Sequence, residues 1–194
     1  MKVCQVSSVH TTFDTRIFYK VCLSLSKRYD VYYVSANAKT EDVEGVHVIG
    51  VELPTSRLLR LLRLGRVYRE LIRVNADVYQ FHDPELIPLG LKIKRRGKKV
   101  IFDSHEDIPM QILWKEYLSK PVAVIVSKLY SIFEMIALKK YDALITVTPS
   151  IVERLERINP NTIMVTNYPV YREIHHIGGA KCLLCWWRKP TVYA

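Results

Sequence analysis

Val100-Ile101-Phe102-Asp103-Ser104-His105-Glu106-Asp107 decides how the chain is read. Its first three residues follow Gly97-Lys98-Lys99 and make a short buried strand. Its end is crowded with groups that carry charge or exchange protons. In an open α/β sheet, ligands bind just beyond the carboxyl ends of the strands. His105 and its acidic neighbours therefore stand where such a fold does its chemistry. Val78-Tyr79-Gln80-Phe81 repeats the pattern upstream and runs into His82-Asp83-Pro84-Glu85. Two neighbouring strands would bring two His–acid clusters to one rim. A third group, His10, Asp14, Arg16 and Lys20, surrounds the first strand–helix junction. A helix amino terminus with an arginine in its first turn suits an anion; the alternative is that Asp14 and Arg16 form only local caps and ion pairs.

Working outward, residues 2–7, 30–35, 46–51, 77–81, the run from Val100 to Phe102, 142–147 and 163–166 read as strands. Residues 16–27, 57–74, 85–95, 109–118, 121–140 and 151–157 read as helices. Ile17, Val21 and Leu25 form the inward stripe of the first helix, and Leu86, Leu89 and Ile93 that of the third. Asp14 or Thr15 caps the first. Strands alternating with helices predict an α/β fold, a Rossmann-like doubly wound, mainly parallel sheet with helices on both faces. Residues 8–14 contain no glycine, so a dinucleotide held against the backbone is not expected. There is no phosphate-loop sequence.

A length of 194 residues fits one well-buried domain. The 29 basic residues exceed the 19 acidic ones, for a net charge of +10. That favours an anionic partner, but no nucleic-acid reader motif is present. The start lacks the apolar core of a signal peptide. Ser127, Lys128, Ser131 and Glu134 interrupt residues 122–138, so no spanning helix is expected. The four cysteines are scattered, which reads as reduced thiols in a cytoplasmic protein.

Residues 57–74 place Leu58, Leu61, Leu64, Tyr68, Leu71 and Ile72 on one face, with arginines around the rest. Two readings stay open: a covering helix with a solvated basic side, or a contact with anionic lipid through Arg60, Arg63 and Arg66. Residues 173–194 have no clear period and read as an irregular tail, disordered or out of frame. Cys182 and Cys185 with His175 and His176 have the residue types of a zinc site, but the spacing is poor.

His10-Thr-Thr-Phe-Asp14-Thr-Arg16, His82-Asp-Pro-Glu-Leu-Ile-Pro-Leu-Gly90 and Phe102-Asp-Ser-His105-Glu-Asp107 together resemble the amino-terminal domain of GT-B glycosyltransferases of family 4. Asp142-Ala-Leu-Ile-Thr-Val-Thr-Pro-Ser150 and Thr166-Asn-Tyr-Pro169 resemble that family too. The resemblance covers residues 1–172. It implies one half of a two-domain enzyme that moves a sugar from a nucleotide-sugar to a saccharide or lipid-linked acceptor with retention, in cell-surface polysaccharide synthesis. No metal or other cofactor is implied. His105 matches the histidine near the reacting sugar, a catalytic position. His10, Asp14 and Arg16 would face the diphosphate or acceptor, and His82, Asp83 and Glu106 the acceptor side. The donor-binding half is not recognisable after Glu173. The expectation is a truncated transferase, weak alone, complemented by a separate donor-domain chain if at all, and peripheral on the inner face of the membrane. A metal-dependent hydrolase using His82, Asp83, Asp103, His105, Glu106 and Asp107 is the alternative, and a non-catalytic membrane or partner-binding module is another.

Overall fold

The computed structural model describes residues 1–167. The tail and its zinc reading lie outside these residues. Eight strands form one sheet: β1 (Lys2–Ser7), β2 (Asp30–Ala36), β3 (Glu41–Val43), β4 (Val46–Val51), β5 (Val78–Phe81), β6 (Lys99–Ser104), β7 (Ala143–Thr146) and β8 (Thr162–Met164). The spatial order is β3-β4-β2-β1-β5-β6-β7-β8. Every pairing is parallel except β3 with β4. The chain turns back between those two at Glu44 and Gly45, both at positive φ, the geometry of a tight hairpin. The doubly wound α/β sheet expected from the sequence is present, and β3 is an addition to it.

The helices are α1 (Thr15–Cys22, continued by Leu23–Ser26), α2 (Arg57–Val74), α3 (Ile87–Lys94), α4 (Ile108–Leu113), α5 (Lys120–Leu138) and α6 (Pro149–Glu156). They build two cores. The larger packs α2, α3, α5 and α6 on Cys4, Val6, Tyr79, Phe81, Phe102 and Leu144. The smaller packs α1 on Val31, Tyr33, Val46 and Val48. Alternate strand residues point to opposite faces, so β2 and β4 supply one core or the other by turns, while β1 supplies the larger core through Cys4 and Val6.

Three elements depart from the sequence reading. Thr15–Cys22 is π-wound, with the Tyr19 amide on the Asp14 carbonyl, five residues back. The wider turn buries Phe18 and Cys22 beside the expected Ile17, leaves Val21 only partly buried, and Leu25 packs on the edge of this core. In α2 the buried residues are Leu64, Val67, Leu71 and Val74, while Leu58 and Leu61 are exposed. Its 18 residues rise about 27 Å, against about 20 Å for a six-residue strand, so its first turns overhang the sheet. Finally, α5 is long and apolar enough to cross a bilayer by length and composition, which the reading of residues 122–138 did not anticipate. Its inner side nevertheless packs on the domain: Ser127 donates to the Pro109 carbonyl (2.8 Å), and Arg154 of α6 bonds Glu134.

Gly90 faces the Tyr141 ring, whose hydroxyl donates to the Ile87 carbonyl (3.0 Å). A methyl group there would overlap that hydroxyl. Gly90→Ala is expected to cost about 1–3 kcal/mol in urea unfolding. Gly65→Ala, with open space at the same atom, should gain up to about 1 kcal/mol. An unchanged midpoint for Gly90→Ala would show that α3 can move off Tyr141.

Candidate active site

Register brings the site together. Val6, Phe81, Phe102 and Leu144 are successive partners across β1, β5, β6 and β7. The residues that follow in β1, β5 and β6 therefore emerge at one rim. On the α1 side of the sheet lies a buried polar track. Gln80 donates to Asp103 Oδ2 (3.0 Å), Gln5 donates to Gln80 Oε1 (3.3 Å), and His82 donates through Nε2 to Gln5 Oε1 (2.8 Å). Arg16 reaches in from α1 and donates to Asp103 Oδ1 (2.9 Å) and to the Val165 carbonyl (3.1 Å).

His105 lies over this track. Its ring stacks on His82 at 5.5 Å between centroids and meets His10 edge-on at 5.8 Å. Its Nε2 is 3.3 Å from His82 Nδ1, which accepts because the other His82 nitrogen is donating. Its Nδ1 is buried with no aligned partner, 3.4 Å from Asp103 Oδ1. Burial holds the His82 imidazole far below its ordinary value, down to about 3, although Asp103 opposes this. Burial lowers His105 as well. His10 is raised, first by the Asp14 carboxylate beside it. Burial alone would raise Asp14, but His10 and the amides of Ile17 and Arg16 outweigh it and pull the carboxyl below the usual range. At the rim, burial thus favours the neutral form of His82 and His105, while the Asp14 carboxylate favours the charged form of His10.

The predicted residues fall into two groups. His10, Asp14, His105 and Glu106 reach the open rim. His82 and Asp83 are buried and hold it from beneath. Asp83 accepts the Ser7 hydroxyl (2.9 Å) and the Ser8 amide (2.6 Å), which shapes the loop carrying His10. Arg16 is likewise almost wholly buried and secures Asp103. Arg60 forks onto Glu85 (2.5 and 3.0 Å) and joins α2 to the same rim. Arg66 donates to the Glu52 carbonyl (3.2 Å), and Arg63 is exposed. Of the hydrolase ligand set, His82, Asp103 and His105 offer atoms within 4.8 Å of one another. Asp83 is turned to Ser7 and Ser8, and Asp107 caps α4 at Met110. The Arg16 guanidinium, already on Asp103, repels a further cation there. Sequence reasoning missed Gln5 and Gln80; a glutamine inside each of two apolar strands was the available signal.

The sequence pattern of Glycosyltransferase Family 4 matches residues 14–170, well over half the chain. The chain belongs to that family. The doubly wound α/β fold recurs in solved structures. Sucrose-phosphate synthase from Thermosynechococcus elongatus superposes with a TM-score of 0.63 at 10% identity, over 85% of this chain and 47% of its own. A second structure of that synthase gives 0.56 at 12% identity, over 86% of this chain and 88% of its own. A complex of a UDP-glucosyltransferase from Polygonum tinctorium gives 0.55 at 11%, over 96% and 56%. The chain spans about half the length of the first of these. No curated protein sequence matches it.

Two outcomes test this family 4 site. Arg16→Met leaves the Asp103 carboxylate buried without its cation and should cost about 3–5 kcal/mol in chemical unfolding; a loss under 1 kcal/mol would deny the pair its role. The second concerns acid. The unfolded chain protonates His82 near its ordinary value, while the folded chain resists until about 3. Stability present above pH 6.5 is therefore lost as pH falls, by up to about 1.4 kcal/mol per unit from this group. His82→Gln should lose stability less steeply than wild type between pH 6.5 and 4. Parallel slopes would mean His82 is not held neutral.

Proposed function

We propose that residues 1–172 are the acceptor-side half of a retaining glycosyltransferase of cell-surface polysaccharide synthesis. Sugar would pass from a nucleotide-sugar, the only co-substrate, to a saccharide or lipid-linked acceptor at the cytoplasmic face of a membrane. The observation that carries the reading is the meeting of His10 and His105 above the buried Asp103–Arg16 pair, at the carboxyl ends of β1, β5 and β6. Transfer needs a group beside the reacting sugar and positive charge near the departing diphosphate. His105 supplies the first, and His10, whose charged form the Asp14 carboxylate favours, contributes to the second. The donor-binding half, in the same polypeptide or another, supplies the remaining phosphate contacts. By themselves the 194 residues transfer little.

The test uses labelled nucleotide-sugars with bacterial membranes as acceptor. The 194-residue protein alone should give no transfer above blank. Joined by a family 4 donor-binding half, it should transfer with the donor's anomeric configuration, and His105→Ala should lower kcat at least about a hundredfold. An inverted product, or undiminished kcat in His105→Ala, rejects the reading. One observation favours a metal-dependent hydrolase instead: the closeness of His82, Asp103 and His105. Stoichiometric zinc in protein purified without chelators would support it, and metal-free protein would sink it.

A further inference from the structure

A helix that covers a sheet ordinarily turns its large apolar residues inward. α5 does the reverse. Its buried positions are Ala123, Ser127, Glu134, Ala137 and Leu138, of which only Leu138 is large and apolar. Val122, Ile125, Leu129, Ile132 and Ile136 recur at helical spacing on the outer side, and the last four are 50–62% exposed. Further exposed apolar residues are Leu113 at the end of α4 and, beyond it, Trp114 and Tyr117, 79% and 76% exposed. Few soluble surfaces leave so continuous an apolar stripe uncovered without a use for it.

We propose that the outer face of α4 and α5 lies in the headgroup layer of an anionic bilayer. This specifies the surface for the membrane location proposed above and rests on that location, not on the transfer chemistry. Charge decides the occupant. Residues 108–140 carry Lys115, Lys120, Lys128, Lys139 and Lys140, and their acids are Glu116 and the buried Glu134. A second copy packed on this face would set lysine against lysine with little to answer it. Anionic headgroups answer all five, while the aliphatic stripe enters the acyl boundary. Exposed Trp114 and Tyr117 suit the same depth. The helix lies on the bilayer instead of crossing it, because its inner side is held by Arg154 on Glu134 and by Ser127 on Pro109.

The experiment is sedimentation of the full chain with phosphatidylcholine vesicles, with and without phosphatidylglycerol. Wild type should pellet with the anionic vesicles only. The combined variant Ile125→Gln, Leu129→Gln, Ile132→Gln should lose at least about tenfold in affinity with an unchanged circular-dichroism melt. The pair Arg63→Glu, Arg66→Glu should lose less. Brominated lipid should quench wild-type fluorescence more than that of Trp114→Phe. Failure of wild type to pellet overturns both the surface and the membrane location. Pelleting that the α5 variant retains but the α2 pair loses overturns the surface alone. A dimer at sedimentation equilibrium that only the α5 variant abolishes assigns the face to a second copy. Pelleting by a chain ended at residue 173, but not by the full chain, assigns it to the protein's own carboxy-terminal segment. Either result overturns the proposal.

Discussion

The carboxylate of Asp103 is closed off from water, and the site is arranged around that fact. A charge in such a place is tolerated only with a cation and further donors around it. Arg16 provides the cation and Gln80 a donor. These come from opposite directions, one from the first helix and one from the neighbouring strand. The requirement explains why α1 opens as it does. Asp14 takes the amides of Arg16 and Ile17 (2.8 and 2.9 Å), which turns Arg16 inward at the first opportunity. It also explains Gln5. A hydrophobic residue there would leave Gln80 and His82 each short of a partner.

The two faces of the sheet serve different ends. The face under α2, α3, α5 and α6 is apolar and holds the sheet together. The other is apolar only beneath α1. Past β1 it becomes the polar track, and the rim chemistry is a continuation of it. His105 is thus supported by buried polar groups whose hydrogen bonds fix their orientation, which favours a single ring position.

Much of this was readable in advance, and the failures have physical causes. β1, β4, α2 and the ends of β5 and β6 follow from apolar runs closed by Gly, Pro or charge. The π-winding of α1 was not readable, because Ile17, Val21 and Leu25 satisfy an ordinary helix equally well; the Asp14 cap and the burial of Arg16 decide it. β3 has no apolar alternation and exists only as the partner of β4. The overhang of α2 depends on the lengths of strands it does not adjoin in sequence. His105 was found because charge clusters at a strand end. That His82 and Asp83 lie beneath it, instead of beside it, depends on register, which no local pattern encodes.

Parallel connectivity has a cost in time. β1 sits at the middle of the sheet, between β2 and β5. Val3 pairs with Val31 on one side and with Val78 on the other. During synthesis the second neighbour emerges some 75 residues after the strand it completes, a delay of about 4–15 s at ordinary elongation rates. Until then the central strand has a bare edge, open to pairing with any other extended chain. The connections that gather three loops at one rim therefore make the nascent protein's most protected strand, for a few seconds, its most vulnerable one.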